Sequence, residues 1–123
     1  MISTNPKPGA SNYTPELDDA ERASRDEIMA LQLKRLKWSL AHAYENVAHY
    51  KGAFDKVGVH PSDFKEHADL AKFPFTVKTD LRGKYPFNMF AGAREKLGRV
   101  KPSSVTTAKP IVVGYSRADM ETW

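Results

Sequence analysis

The chain contains no cysteine. That excludes disulfides and thiolate metal ligation and fits a reducing compartment. No apolar run approaches the ~18 residues that a membrane span requires. The first residues, Met1 to Thr14, are polar and rich in Asn, Ser, Pro and Gly, so they lack the apolar core of a signal peptide. The expectation is a cytoplasmic protein with no membrane partner. Acidic residues are the scarcer charge, 15 against 19 Lys and Arg, which leaves a net charge of +4. The positive residues are dispersed, and the densest set, Lys34, Arg35 and Lys37, sits on one predicted helix as a solvated face. Without a recognised module or a stacking motif, no nucleic-acid partner is expected. The histidines are equally sparse. His42 and His49 can share a helix face, but no third ligand joins them at metal spacing, so no metal site is expected. There is no nucleophile-elbow motif, and Asp18-Asp19 reads as solvated charge.

What is present suffices for one small domain. The chain has 123 residues, 41% of them hydrophobic, enough for a modest and marginal core. Residues 1–17 are expected to form a disordered tail, broken by Pro6, Pro8, Gly9 and Pro15. Ser24 with Glu27 three residues later is a capping-box signature for a long helix. Met29, Leu33, Leu36, Leu40, Ala43, Val47 and Tyr50 follow in steps of three and four and form one stripe, with Ile28, Leu31 and Trp38 off it. The helix is expected to break near Asn46 and to resume from Ala48 to Val57, with Gly58 as C-cap. A turn at His60–Asp63 follows, with Ser62 or Asp63 capping what comes next. Short helices are expected over Glu66–Lys72 and, capped by Thr76, over Lys78–Lys84. Pro74 and Pro86 bound them. Phe73, Phe75, Tyr85, Phe87, Met89 and Phe90 make the middle of the chain densely aromatic, as expected for core packing and an interface.

After Gly92 the pattern changes. Leu97–Pro102 and Pro110–Tyr115 read as strands, and Ser116 with Asp119 reads as another helix start. The fold class is therefore α+β: a helical N-terminal subdomain followed by a β-hairpin. Between the strands lies Ser103-Ser104-Val105-Thr106-Thr107-Ala108-Lys109-Pro110. Its hydroxyls and lysine are the groups that bind phosphate oxygens. The Walker spacing is absent, and a Ser/Thr-rich hairpin turn has the same composition.

Leu33–Trp38 (LKRLKW), Ala41–Val47 (AHAYENV), Asp69–Ala91 (DLAKFPFT.K.DLR..YPF.MFA) and Lys109–Tyr115 (KP.VVGY) resemble the N-terminal portion of phenylacetate–CoA ligases. These are AMP-forming members of the adenylate-forming acyl-CoA synthetase superfamily. The similarity runs from Asp18 to Trp123. It implies a helical subdomain at 18–92 and, at 93–123, the start of the AMP-binding α/β domain. It also implies a two-step reaction. A carboxylate, typically phenylacetate, attacks the α-phosphate of ATP, releasing pyrophosphate, and CoA thiolate then displaces AMP. Magnesium assists by neutralising phosphate charge. The implied partners are a nucleotide and an aromatic carboxylate; separately from the resemblance, a homodimer is one assembly open to the chain.

On this resemblance Ser103, Ser104, Thr106, Thr107 and Lys109 occupy phosphate-loop positions. Val105 and Ala108 stand where the family has glycine. A β-branched residue at positive φ costs about 1–3 kcal/mol, so the loop is expected to be degenerate. Lys101-Pro102 replaces the family's usual His-Ala, and Pro102 removes a strand amide. No catalytic residue is assigned, because the family's adenine- and ribose-binding motifs and catalytic lysine have no counterpart in these residues. The expectation is a truncated ligase-like chain without activity of its own and without bound cofactor. The alternative is a non-catalytic protein-interaction module.

Overall fold

The computed structural model describes residues 16–84, 87–103 and 110–122. Helix α1 (Asp19–Arg22) is one turn, closed by the Asp18 N–H donating to Glu21 Oε2 at 2.7 Å. This turn was not expected from the sequence, where its acids read as solvated charge. Helix α2 (Arg25–Asn46) begins with the predicted capping box. The Glu27 N–H donates to Ser24 Oγ at 3.2 Å, and the Ser24 N–H donates to Glu27 Oε2 at 2.7 Å. Two orphan amides of the first turn are thus satisfied.

The chain breaks at Val47, whose backbone is extended, and α3 (Ala48–Val57) resumes at once. Gly58 ends α3 with φ of 72°, a left-handed conformation that only glycine adopts cheaply. Its amide donates to the Asp55 carbonyl, and the next amide, Val59, donates to Phe54. This C-cap turns Val59 inward onto the core.

The core is aromatic. Phe54, Val59, Phe64 and Phe73 are buried together, and Leu33, Leu36, Leu40, Tyr44, Tyr50 and Ala53 pack around them. The rings of Phe54 and Phe73 meet edge to face at 5.1 Å, the favoured quadrupole geometry. The predicted stripe of α2 faces this core. Trp38, off the stripe, remains 64% exposed and stacks on His42 with ring centroids 4.6 Å apart. A polar staple joins α2 to α3: the Tyr44 hydroxyl donates to Asp55 Oδ1 at 2.7 Å, and Lys51 Nζ donates to Asp55 Oδ2 at 2.8 Å.

Beyond α3 the segments are short. Pro61–Asp63 and His67–Lys72 are 3₁₀ helices. The Asp63 carboxylate accepts the His60 N–H at 2.8 Å, so it caps its own turn and not the following one. Asp69 does the same for the second segment, accepting the Lys65 and Glu66 amides at 2.9 Å each. Helix α4 (Lys78–Gly83) is capped by Asp80, whose Oδ2 accepts the Val77 N–H at 2.9 Å. Thr76 is not the cap; its hydroxyl donates to the Tyr50 hydroxyl at 3.4 Å.

A two-stranded antiparallel sheet completes the described chain. Strand β1 (Leu97–Pro102) pairs with β2 (Val112–Ser116), with an irregularity between Leu97 and Arg99. Gly98 is the extra residue of this bulge, and the side chains of Met120 and Arg117 lie over it. They belong to α5 (Arg117–Thr122), which packs on both strands. The α+β reading holds: helices first, then a hairpin.

Candidate functional site

The base of the hairpin is well defined. The Ser103 N–H donates to the Ile111 carbonyl at 2.7 Å, and the Ile111 N–H donates to Ser103 Oγ at 2.8 Å. Ser104, Val105, Thr106, Thr107, Ala108 and Lys109 lie outside the described residues, so Ser103 is the member of the predicted phosphate loop whose geometry can be read.

This geometry also accounts for Pro102. Ser103 and Ile111 form a hydrogen-bonded pair, and antiparallel ladders alternate bonded and non-bonded pairs. Pro102 is registered opposite Val112, one step along, and therefore takes a non-bonded position where a missing N–H breaks no ladder bond. The expected loss of a strand amide is real but falls on the outer edge. The predicted strand start at Pro110 moves to Val112, because Pro110 has no N–H and the Ile111 amide goes to a side chain.

The hairpin is anchored at its far end. The Ser116 N–H and Oγ both donate to Asp119 Oδ2 at 2.8 Å, and the Asp119 N–H donates to Ser116 Oγ at 3.2 Å. The Ser116 amide and hydroxyl hold the Asp119 carboxyl below its usual range. A Cβ on Gly114 would lie 2.8 Å from Phe90 Cε2 and 3.1 Å from Leu97 Cδ2. Glycine here lets the Phe90 ring rest directly on the strand backbone.

Between the hairpin and the helices runs an open groove of about 580 Å³. Trp38, His42 and Tyr50 line one side, with Phe90, Ile111 and Gly114 on the other. The aromatic stretch thus divides. Phe73 is core, Phe90 faces the hairpin, and Phe87 carries the Arg94 guanidinium 4.6 Å over its ring. Phe75 is 97% exposed, and Tyr85 lies outside the described residues. Sequence reasoning missed the groove and the Phe90–Gly114 contact, since neither has a periodic signature. Among the described residues no three His, Asp or Glu side chains converge as metal ligands, and no helix is long and apolar enough to cross a membrane.

No protein-family model matches the chain. Single relatives match closely. A phenylacetate–coenzyme A ligase of Aromatoleum evansii is 61% identical over 123 residues, covering all of this chain and 27% of the ligase. The Escherichia coli K12 ligase of the same name is 56% identical over 108 residues, covering 88% of the chain and 25% of the ligase. By sequence the chain is similar to phenylacetate–CoA ligases over about a quarter of their length. The similarity reaches a Thermus thermophilus phenylacetate–CoA ligase at 48% identity over 109 residues.

The fold agrees. The crystal structure of a 2-hydroxyisobutyryl-CoA ligase in complex with 2-HIB-AMP and CoA superposes with a TM-score of 0.73 at 29% identity. That match covers 88% of this chain and 25% of the other. The chain therefore spans about a quarter of the length of the ligases it resembles.

Proposed function

We propose that residues 18–92 form the helical N-terminal subdomain of an AMP-forming phenylacetate–CoA ligase. Residues 93–123 open its nucleotide-binding α/β domain. The observation that carries this reading is the 61% identity to such a ligase over all 123 residues. In the whole enzyme a phenylacetate carboxylate would attack the α-phosphate of ATP, and CoA thiolate would displace AMP from the adenylate. Ser104, Thr106, Thr107 and Lys109 supply donors and charge for the phosphates, with Ser103 at the base of the loop. Magnesium would neutralise phosphate charge, but the described residues offer no three-ligand set for it. The cytoplasm, where ATP and CoA are available, is the proposed site of action.

The chain is proposed to be inactive by itself, because Val105 and Ala108 stand where the resembled phosphate loop has glycine. Purified protein should form no AMP that depends on phenylacetate and CoA; such AMP would overturn this reading. Calorimetric titration with Mg·ATP tests the loop. Val105→Gly with Ala108→Gly should tighten binding about tenfold, since a β-branched residue in a loop that requires positive φ costs about 1–3 kcal/mol. No gain would refute the degenerate-loop reading.

A second reading, an interaction module or homodimer, is favoured by exposed Phe75 and Trp38, at 97% and 64%. Light scattering behind size exclusion tests the homodimer: a clean monomer at all concentrations removes it.

A further inference from the structure

We propose that Ser103 is a positioning residue that closes the loop hairpin through the Ile111 amide. The proposal rests on reading the residues after Ser103 as a nucleotide loop. In a regular antiparallel pair the two residues exchange two backbone N–H···O bonds. Ser103 and Ile111 exchange one, from the Ser103 N–H to the Ile111 carbonyl at 2.7 Å. The second, from the Ile111 N–H, goes to the Ser103 hydroxyl at 2.8 Å in place of the carbonyl.

The side chain thus completes the last ring of the ladder across eight positions of sequence. Pro110 has no N–H, so Ile111 carries the first amide on the β2 side that can be tied. One lone pair of the hydroxyl is committed to that amide. Ser103 thereby sets the separation of the two chain ends from which the loop springs. A serine or threonine serves this purpose, and an alanine leaves the Ile111 N–H without its acceptor. Ser103→Thr keeps the hydroxyl at a strand end, where β-branching is tolerated.

Amide hydrogen exchange resolved at Ile111 tests the proposal on the nucleotide-free chain. Ser103→Ala should accelerate Ile111 exchange about tenfold, the loss of one hydrogen bond, while amides within α2 stay protected. Ser103→Thr should restore wild-type exchange. Unchanged Ile111 exchange in Ser103→Ala overturns the proposal.

Titration with Mg·ATP supplies the second readout. In the Val105→Gly, Ala108→Gly chain, Ser103→Ala should weaken binding severalfold and Ser103→Thr should recover it. If Ser103→Ala weakens ATP binding while Ile111 exchange is unaltered, the serine is a direct phosphate ligand and the proposal fails. If the glycine-restored chain binds no ATP, the nucleotide reading of this portion fails, and the exchange arm alone still decides whether Ser103 is the clamp.

Discussion

Single residues carry much of the hairpin's definition. Gly114 is the sharpest case. A Cβ there would sit 2.8 Å from a ring carbon of Phe90, closer than real contacts allow, and the ring cannot bend away as a flexible tip would. Gly114→Ala should therefore destabilise the protein by about 1–3 kcal/mol, the range for overpacking, read as a lowered midpoint in urea unfolding. Adding Phe90→Leu should recover part of that loss. The sequence marks Gly114 only as a glycine in a β-run; the opposing ring comes from twenty-odd residues upstream and only folding brings it there. Pro102 carries the complementary lesson. Its missing N–H is legible in the sequence, but whether that matters depends on which face of the ladder the register assigns it.

At the scale of elements, capping carboxylates organise the short segments. Asp69 accepts the Lys65 and Glu66 amides and pairs with Lys72 Nζ at 2.8 Å. The Lys72 ammonium, with the Glu66 and Lys65 amides, lowers the Asp69 carboxyl from the ordinary 3.8 to about 2. A depressed carboxyl stabilises fully above its unfolded pKa and loses that contribution as pH falls through its folded pKa. The contribution of Asp69 should thus fade between about pH 4 and pH 2. Asp69→Asn should melt below wild type at neutral pH by circular dichroism, with the gap closing by pH 2. A gap that persists at pH 2 would rule out the carboxylate as its source.

The same elements show where pattern reading succeeds. Ser24 with Glu27, the break after Asn46, Gly58 and the Ser116–Asp119 cap were all legible, because each is set by residues within four positions. The misplaced caps at Thr76 and Asp63 were not. A carboxylate inside the first turn can reach back to its own N-cap amide, and sequence alone does not rank it against a hydroxyl just outside.

At the scale of the whole molecule, stability rests on a small aromatic cluster. Phe64 is 2% exposed and packs with Phe73, which in turn meets Phe54. Phe64→Ala should cost about 3–5 kcal/mol, a large part of the total for a domain of this size. The expected result is loss of cooperative thermal unfolding at room temperature; a sharp transition retained near the wild-type midpoint would show that the core lies elsewhere. The hairpin depends on the same assembly, since an isolated two-stranded sheet is marginal in water. Here α5 and Phe90 cover it, while the groove beside Trp38 and His42 stays open.

The sequence by itself determined the bounds of α2 and α3, the caps at Ser24, Gly58 and Ser116, the presence of two strands and the similarity to the ligases, because these depend on local periodicity or on many residues matched in order. Only the tertiary structure decided which aromatic residues are core, that Gly114 yields to Phe90, that Pro102 is harmless to the ladder, and that Ser103 holds Ile111. Each depends on residues far apart in the chain whose separation and register arise only when the hairpin closes and packs.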